Sequence, residues 1–273
     1  YPRAFRPAVL PPDRSGLSEF GMGMKSAACW FAPEWQVRTK ALGEKIERTV
    51  RFDIERIVRD ELEELAIEEA SAAPEHHYTE IILENPHHVP VGRTVGKIKD
   101  HLTDIYRVFL RDGSLDLKFN GESLKYEEPG ILHAPYYKDP NGKPRLWRKD
   151  INFDFGGDFS VTGYAALRDP GNYARSGFSL FRRGRLIEGS GEEGYRPSLI
   201  FGTSGSSSYA RLRLFGELHL TGFEVSHTKD GFRWDENEEP FLQLLEEHLD
   251  KGELPLLKQC EHFRSLASRK DRA

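Results

Sequence analysis

Gly21 and Gly23 stand one residue apart in Ser18-Glu19-Phe20-Gly21-Met22-Gly23-Met24-Lys25-Ser26-Ala27, and an apolar run, Ala27-Ala28-Cys29-Trp30-Phe31-Ala32, follows at once. A glycine turn feeding a helix start constrains the fold more than any other feature of the chain. Without a Cβ, such a turn lets backbone N–H groups approach an anion closely. The helix start behind it carries partial positive charge and unpaired N–H donors, which suit a phosphate. Lys25 would add a full charge where the helix dipole slightly disfavours one. Glycine turns are also ordinary punctuation, so the stretch gains meaning only from its surroundings.

The periodicity around it reads as alternating strands and helices. Trp35, Val37 and Thr39 alternate with polar residues, which predicts a strand, and Arg48 to Asp53 predicts a second. Asp53 suits a helix cap, and Ile54, Ile57, Val58, Leu62 and Leu65 predict one amphipathic helix to about Ala73. The charge run Glu55, Arg59, Asp60, Glu63, Glu64, Glu68 and Glu69 then reads as its solvated face. His77 to Glu84 predicts a strand. Thr94 is placed to cap a helix whose buried stripe would be Val95, Ile98, Leu102, Ile105, Tyr106 and Phe109. Asn120-Gly121 predicts a tight hairpin.

Glu127 to Pro144 is rich in proline and glycine, and the domain boundary is expected there, giving 1–145 and 146–273. A length of 273 residues agrees with about two domains. Beyond it, paired strands are expected around Gly156-Gly157 and Arg183-Gly184. A long strand is expected from Leu212 to Gly222, with Leu214, Gly216, Leu218 and Leu220 on one face. A helix is expected around Phe241, Leu245 and Leu249. This irregular alternation predicts an α+β class.

Net charge is −5, which does not favour a broad nucleic-acid-binding surface. Cys29 and Cys260 are far apart and show no metal-type spacing, which fits a reducing compartment. No apolar run approaches a membrane span and no signal-peptide pattern opens the chain, so a soluble, cytoplasmic protein is expected.

Leu17 to Ala27 resembles the last nucleotide-binding motif of the GHKL ATPases, the group of gyrase, the cytosolic heat-shock chaperone, the sensor histidine kinases and MutL. Its flavour is that of the MutL and microrchidia (MORC) branch. Three further segments match in order. Phe159 to Ala165 resembles the first transducer strand, Phe178 to Ile187 the hairpin that follows, and Val225-Ser226-His227-Thr228-Lys229-Asp230-Gly231 the loop whose lysine reaches the ATP site. The resemblance implies the C-terminal part of a GHKL (Bergerat) α/β sandwich followed by a ribosomal-S5-like transducer domain. Tyr1 to Leu17, rich in proline, would be the ATP lid.

The resemblance also implies ATP and Mg²⁺ as ligands. The backbone around Phe20, Gly21, Met22, Gly23, Met24 and Ser26 would cradle phosphates, Lys25 would pair with a phosphate oxygen, and Thr79 would contact the adenine-reading group. Lys229 would donate to the γ-phosphate and couple the two domains. No protein metal ligand is assigned, because the family's Glu/Asn helix and Asp-Gly-x-Gly turn have no match in this chain. Turnover by the chain in isolation is therefore not expected, and at most a weak nucleotide affinity is. Homodimerisation on ATP binding and DNA as an ultimate partner follow from the resemblance alone. The rival readings are a non-enzymatic interaction scaffold and a sensor-kinase catalytic domain, and the transducer-like lysine loop argues against the latter.

Several other signals read as structural. His76-His77 and His87-His88 lack the spacing of a zinc site. Arg182, Arg183, Arg185, Arg211 and Arg213 read as solvated charge, with a phosphate-backbone contact as the sharper alternative. Gly202 to Ser208 reads as a flexible loop, and the polar stretch from Arg264 as a fraying end.

Overall fold

A computed structural model describes residues 23–154, 156–203, 208–226 and 231–264. The chain divides after Thr94 into two compact units, ahead of the Pro/Gly-rich segment where composition places the boundary.

In the first unit, helix α1 (Gly23–Phe31) leads into β1 (Glu34–Lys40) and β2 (Ile46–Asp53). Asp53 caps the short helix α2 (Ile54–Arg59), its carboxylate accepting from the Arg56 N–H at 2.9 Å. β3 (Ile67–Ser71) and β4 (Tyr78–Glu84) complete an antiparallel sheet of order β3-β2-β1-β4. Alternation puts Trp35, Val37 and Thr39 on one face, together with their partners Phe52, Val50 and Arg48 on β2 and Leu83, Ile81 and Thr79 on β4. Ala28 of α1 is buried against Trp35 and Val37, with Met24 and Phe52 packed alongside. The opposite face carries crossed charges, Arg38 with Glu80 and Arg51 with Glu68.

The single helix expected from Ile54 to about Ala73 is overturned. It ends at Arg59, Glu61 takes a positive φ of 46°, residues 60–66 are irregular, and Glu68 and Glu69 fall in an edge strand. The reason is non-local: Glu68 and Glu69 pair across the ladder with Arg51 and Arg48 at 3.1 Å each. Those ion pairs and the ladder hydrogen bonds replace what a second and third helical turn would have given.

The division falls within the first turn of α3 (Arg93–Arg111), and the second unit continues with the hairpin β5 (Lys118–Phe119) and β6 (Glu122–Ser123). Asn120 and Gly121, at φ 50° and 81°, make the expected tight turn. After a small pair, β7 (His133–Ala134) with β8 (Arg145–Leu146), come β9 (Arg148–Asp154), β10 (Ser160–Leu167), β11 (Gly177–Arg182) and β12 (Arg185–Glu188). The turn between β11 and β12 is Arg183-Gly184, at φ 52° and 75°. Short helices α4 (Ser198–Phe201) and α5 (Ala210–Arg213) precede β13 (Leu214–Thr221), so the long strand starts two residues later than expected. The small ladder β14 (Glu224–Val225) with β15 (Phe232–Arg233), then α6 (Glu238–Asp250) and α7 (Leu256–His262), complete the unit.

The main sheet runs β12-β11-β13-β10-β9, with β11 and β13 parallel and the other neighbours antiparallel. Leu214, Leu218 and Leu220 point to one face, as expected, and join Phe178, Leu180, Val161 and Ile151 in the core. Phe241, Leu245 and Leu249, one helical turn apart on α6, close that core. Gln259 is fully buried, and both ends of its amide are satisfied by the Pro135 carbonyl and the Tyr137 N–H.

The other sheet face sets the buried carboxylate of Glu217 among buried Tyr164, Ala166, Phe181 and Phe215, and here the expected stripe of α3 is corrected. Val95, Ile98, Leu102, Ile105, Tyr106 and Phe109 are only half-buried, while Asp104 and Arg107 are the buried residues of the helix. Glu217 of β13 is the cause. It is buried and meets Arg107 Nε at 2.8 Å and Arg111 Nη2 at 2.7 Å. Helix α3 thus turns its charged stripe, not its apolar one, to Glu217. Arg213 is likewise buried rather than solvated, and Arg211 donates to the carbonyls of Phe201 and Gly202. Among the described residues no helix is long and apolar enough to cross a membrane.

Candidate functional site

The first unit holds a groove of about 850 Å³ on the apolar sheet face. One wall is apolar, formed by Val50, Phe52, Leu65 and Ile67, and the polar lining comprises Lys25, Thr39, Arg48 and the carboxylates Glu44 and Glu63. Lys25 sits in the first turn of α1, which contains no acidic residue. The first N–H groups of such a helix have no intrahelical acceptor. Among the described residues, no carboxylate lies within ion-pair distance of Lys25. Arg48, which also lines the groove, is committed to Glu44 at 2.6 Å and Glu69 at 3.1 Å. The hydrogen bond and charge of Glu44 hold the Arg48 guanidinium above its ordinary pKa. Lys25 is therefore the lining cation left for a ligand.

Thr79 enters through its cross-strand partner. The Thr39 and Thr79 hydroxyls lie 2.7 Å apart, and Thr39 Oγ1 also donates to the Tyr78 carbonyl at 3.1 Å. Lys25 and Thr39 line this groove, whereas Thr79, though paired with Thr39, lines a separate shallow pocket with Lys40, Ala41, Leu42, His77 and Tyr78. Thr39 is the member that sequence reasoning missed. Its place in the period-two strand Trp35-Val37-Thr39 was legible, but its pairing with Thr79 depends on β1–β4 register.

The other proposed residues fall in different places. Gly23 opens α1 and is exposed. Met24 turns its side chain into the small core, and Ser26 is exposed. Phe20, Gly21, Met22, the lid segment 1–17 and Lys229 lie outside the described residues. His76, His77, His87 and His88 are all exposed. Burial pushes the Cys260 thiol up to about 12, so it stays protonated and donates to the Tyr209 carbonyl at 2.9 Å. Among the described residues no group of three carboxylate, histidine or cysteine side chains is placed to hold a metal ion.

No protein-family model matches the chain, and no curated protein matches it. It is similar in structure to two crystal structures of the ATPase region of Saccharomyces cerevisiae topoisomerase II, one of them bound to ICRF-187 (dexrazoxane). Each likeness has a TM-score of 0.42 and 12% identity, and covers 82% of this chain. The match spans 61% of the topoisomerase chain.

Proposed function

We propose that the first unit binds the polyphosphate of ATP and that the chain is a GHKL-type ATP-binding protein of the MutL/MORC-like branch. The observation that supports this reading is one groove lined by Lys25, from a helix start without acids, and by Thr39, whose hydroxyl pairs with that of Thr79, beside an apolar wall. A volume of about 850 Å³ suits a nucleotide. The N–H groups at the start of α1 would hold phosphate oxygens, and the Lys25 ammonium would neutralise one of them. Phe52 and Ile67 would exclude water from one side of the groove.

ATP supplies the phosphoryl group and most of the charge that the site must neutralise. Among the described residues no side-chain cluster is placed to hold Mg²⁺. In the same proposal Lys229 senses the γ-phosphate, lid ordering promotes a homodimer, and the process served is DNA-related. The second reading, an interaction scaffold, is favoured by Ile67, Ile81 and Leu83, which stay exposed on the apolar sheet face.

Calorimetric titration with ATP and ADP separates the two. The ATPase reading expects saturable binding that Lys25→Ala weakens about tenfold, the value of one charge-assisted hydrogen bond. Lys229→Ala should instead erase the preference for ATP over ADP. Absence of nucleotide binding by the parent chain would leave the scaffold.

A further inference from the structure

The second unit holds a cavity of about 630 Å³ on the Glu217 face of its sheet, sharing no lining residue with the groove of the first unit. Its lining carries equal numbers of acidic and basic side chains, so net charge selects no ligand. The pairing inside it does.

Asp104 accepts from the Gly191 N–H at 2.6 Å and lies 3.6 Å from Arg107 and 3.8 Å from Arg175. Asp100 meets Arg175 at 3.3 Å, and Lys99 meets Glu122 at 2.7 Å. Glu217 is held by Arg107 and Arg111, and Arg111 also takes Glu128 at 2.9 Å. Glu127 and Lys125 are exposed.

Arg168 stands apart from this network. Its Nη2 donates to the Arg175 carbonyl at 3.1 Å, and its guanidinium lies 4.9 Å from the Phe215 ring centroid. Its Nε is buried without an acceptor, and among the described residues no carboxylate lies within ion-pair distance of it. Desolvation lowers its pKa, as expected for a cation shielded from water. Tyr126 and Tyr164 line the same cavity, and burial raises both phenols above their ordinary pKa, so each hydroxyl is a neutral donor. Neither hydroxyl has a hydrogen-bond partner among the described residues. A half-buried guanidinium without a counter-ion is costly, and a bound oxyanion offsets that cost. The planar fork of arginine matches carboxylate and phosphate alike.

We propose that this cavity binds a small oxyanion-bearing molecule, its carboxylate or phosphate seated on Arg168 and reached by the Tyr126 and Tyr164 hydroxyls. The test is a titration of the ¹⁵N-arginine-labelled chain with citrate in one arm and pyrophosphate in the other, against chloride at matched ionic strength. The Arg168 Nε–H resonance, assigned by its loss in Arg168→Lys, should shift saturably in at least one arm and not with chloride. Citrate alone marks a carboxylate site, and pyrophosphate alone a phosphate site. Tyr164→Phe, which keeps the ring, should weaken binding a few-fold. Lys25→Ala should leave it unchanged, which separates this site from the nucleotide groove. An Arg168 resonance that ignores both oxyanions, or binding that Lys25→Ala abolishes, overturns the proposal.

Discussion

Glu217 shows how one side chain sets the chemistry around it. Its carboxylate is buried and draws in two arginines from α3, while Arg107 also lies 4.7 Å from the Phe181 ring centroid and 5.1 Å from that of Tyr126. The Arg107 Nε approach, at 2.8 Å, is an ion pair whose angle falls short of a hydrogen bond. Removing one partner of such a pair strands a buried charge, so Glu217→Gln should cost about 3–5 kcal/mol in urea unfolding. The double variant Glu217→Gln with Arg107→Met should cost less than the sum of the two singles, because no charge is then left unpaired. By contrast the exposed pair Lys99–Glu122 should contribute under about 1 kcal/mol. On the same strand His219 stacks 5.0 Å from Phe181, and burial is the main cause that lowers its pKa. A histidine depressed in the folded state takes up its proton later than the unfolded chain does. Stability should therefore begin to fall as pH drops through about 6.5, the unfolded value, and continue to fall until the lower folded-state pKa is passed. Unfolding midpoints of His219→Gln measured over that range should lack this component of the slope.

At the scale of elements, the two β-turn hairpins and the period-two strands were legible because their determinants are local. Asn120-Gly121 and Arg183-Gly184 set their own turns, and Trp35-Val37-Thr39 sets its own inward face. Two features were not legible. β3 carries Glu68 and Glu69, whose local pattern favours a helix, and only the arginines of β2 make it a strand. The burial of the charged stripe of α3 depends on a residue more than a hundred positions away in the chain, so local periodicity found the half-buried apolar stripe and missed the buried charged one. The Lys25 and Thr79 candidates came from sequence, whereas Thr39 became visible only through strand register. Two substitutions probe these elements. Asp53→Ala removes the carboxylate that caps α2 and should cost about 1 kcal/mol in thermal or urea unfolding. Gly163→Ala should be worse. Gly163 has φ 142°, and a Cβ there would lie 2.0 Å from the Glu217 carbonyl oxygen on the neighbouring strand. The clash would force β10 away from β13, and a loss of under about 0.5 kcal/mol would contradict that account.

At the scale of the whole molecule the two units are stabilised unequally. The first buries Ala28, Trp35 and Val37 as a small cluster beneath one helix, and Ile81 and Leu83 of the same face stay exposed. The second closes a continuous core from Trp147 and Phe178 to Phe241 and Leu256. Less apolar area removed from water means a lower opening free energy. In hydrogen exchange, the amides of β1, β2 and β4 should therefore exchange faster than those of β10, β11 and β13. A ligand that binds only the folded first unit raises its opening free energy by an amount set by occupancy. At a concentration of a hundred times its Kd this is about 2.7 kcal/mol, equivalent to roughly a hundredfold slowing of exchange. ATP at such a concentration should slow the β1 and β4 amides by about that factor in the parent chain and by clearly less in Lys25→Ala. The β10 and β13 amides should change little, because their opening does not release the nucleotide. Protection that appears in β10 and β13 but not in β1 and β4 would move the nucleotide to the second unit and remove Lys25 and Thr79 from its site.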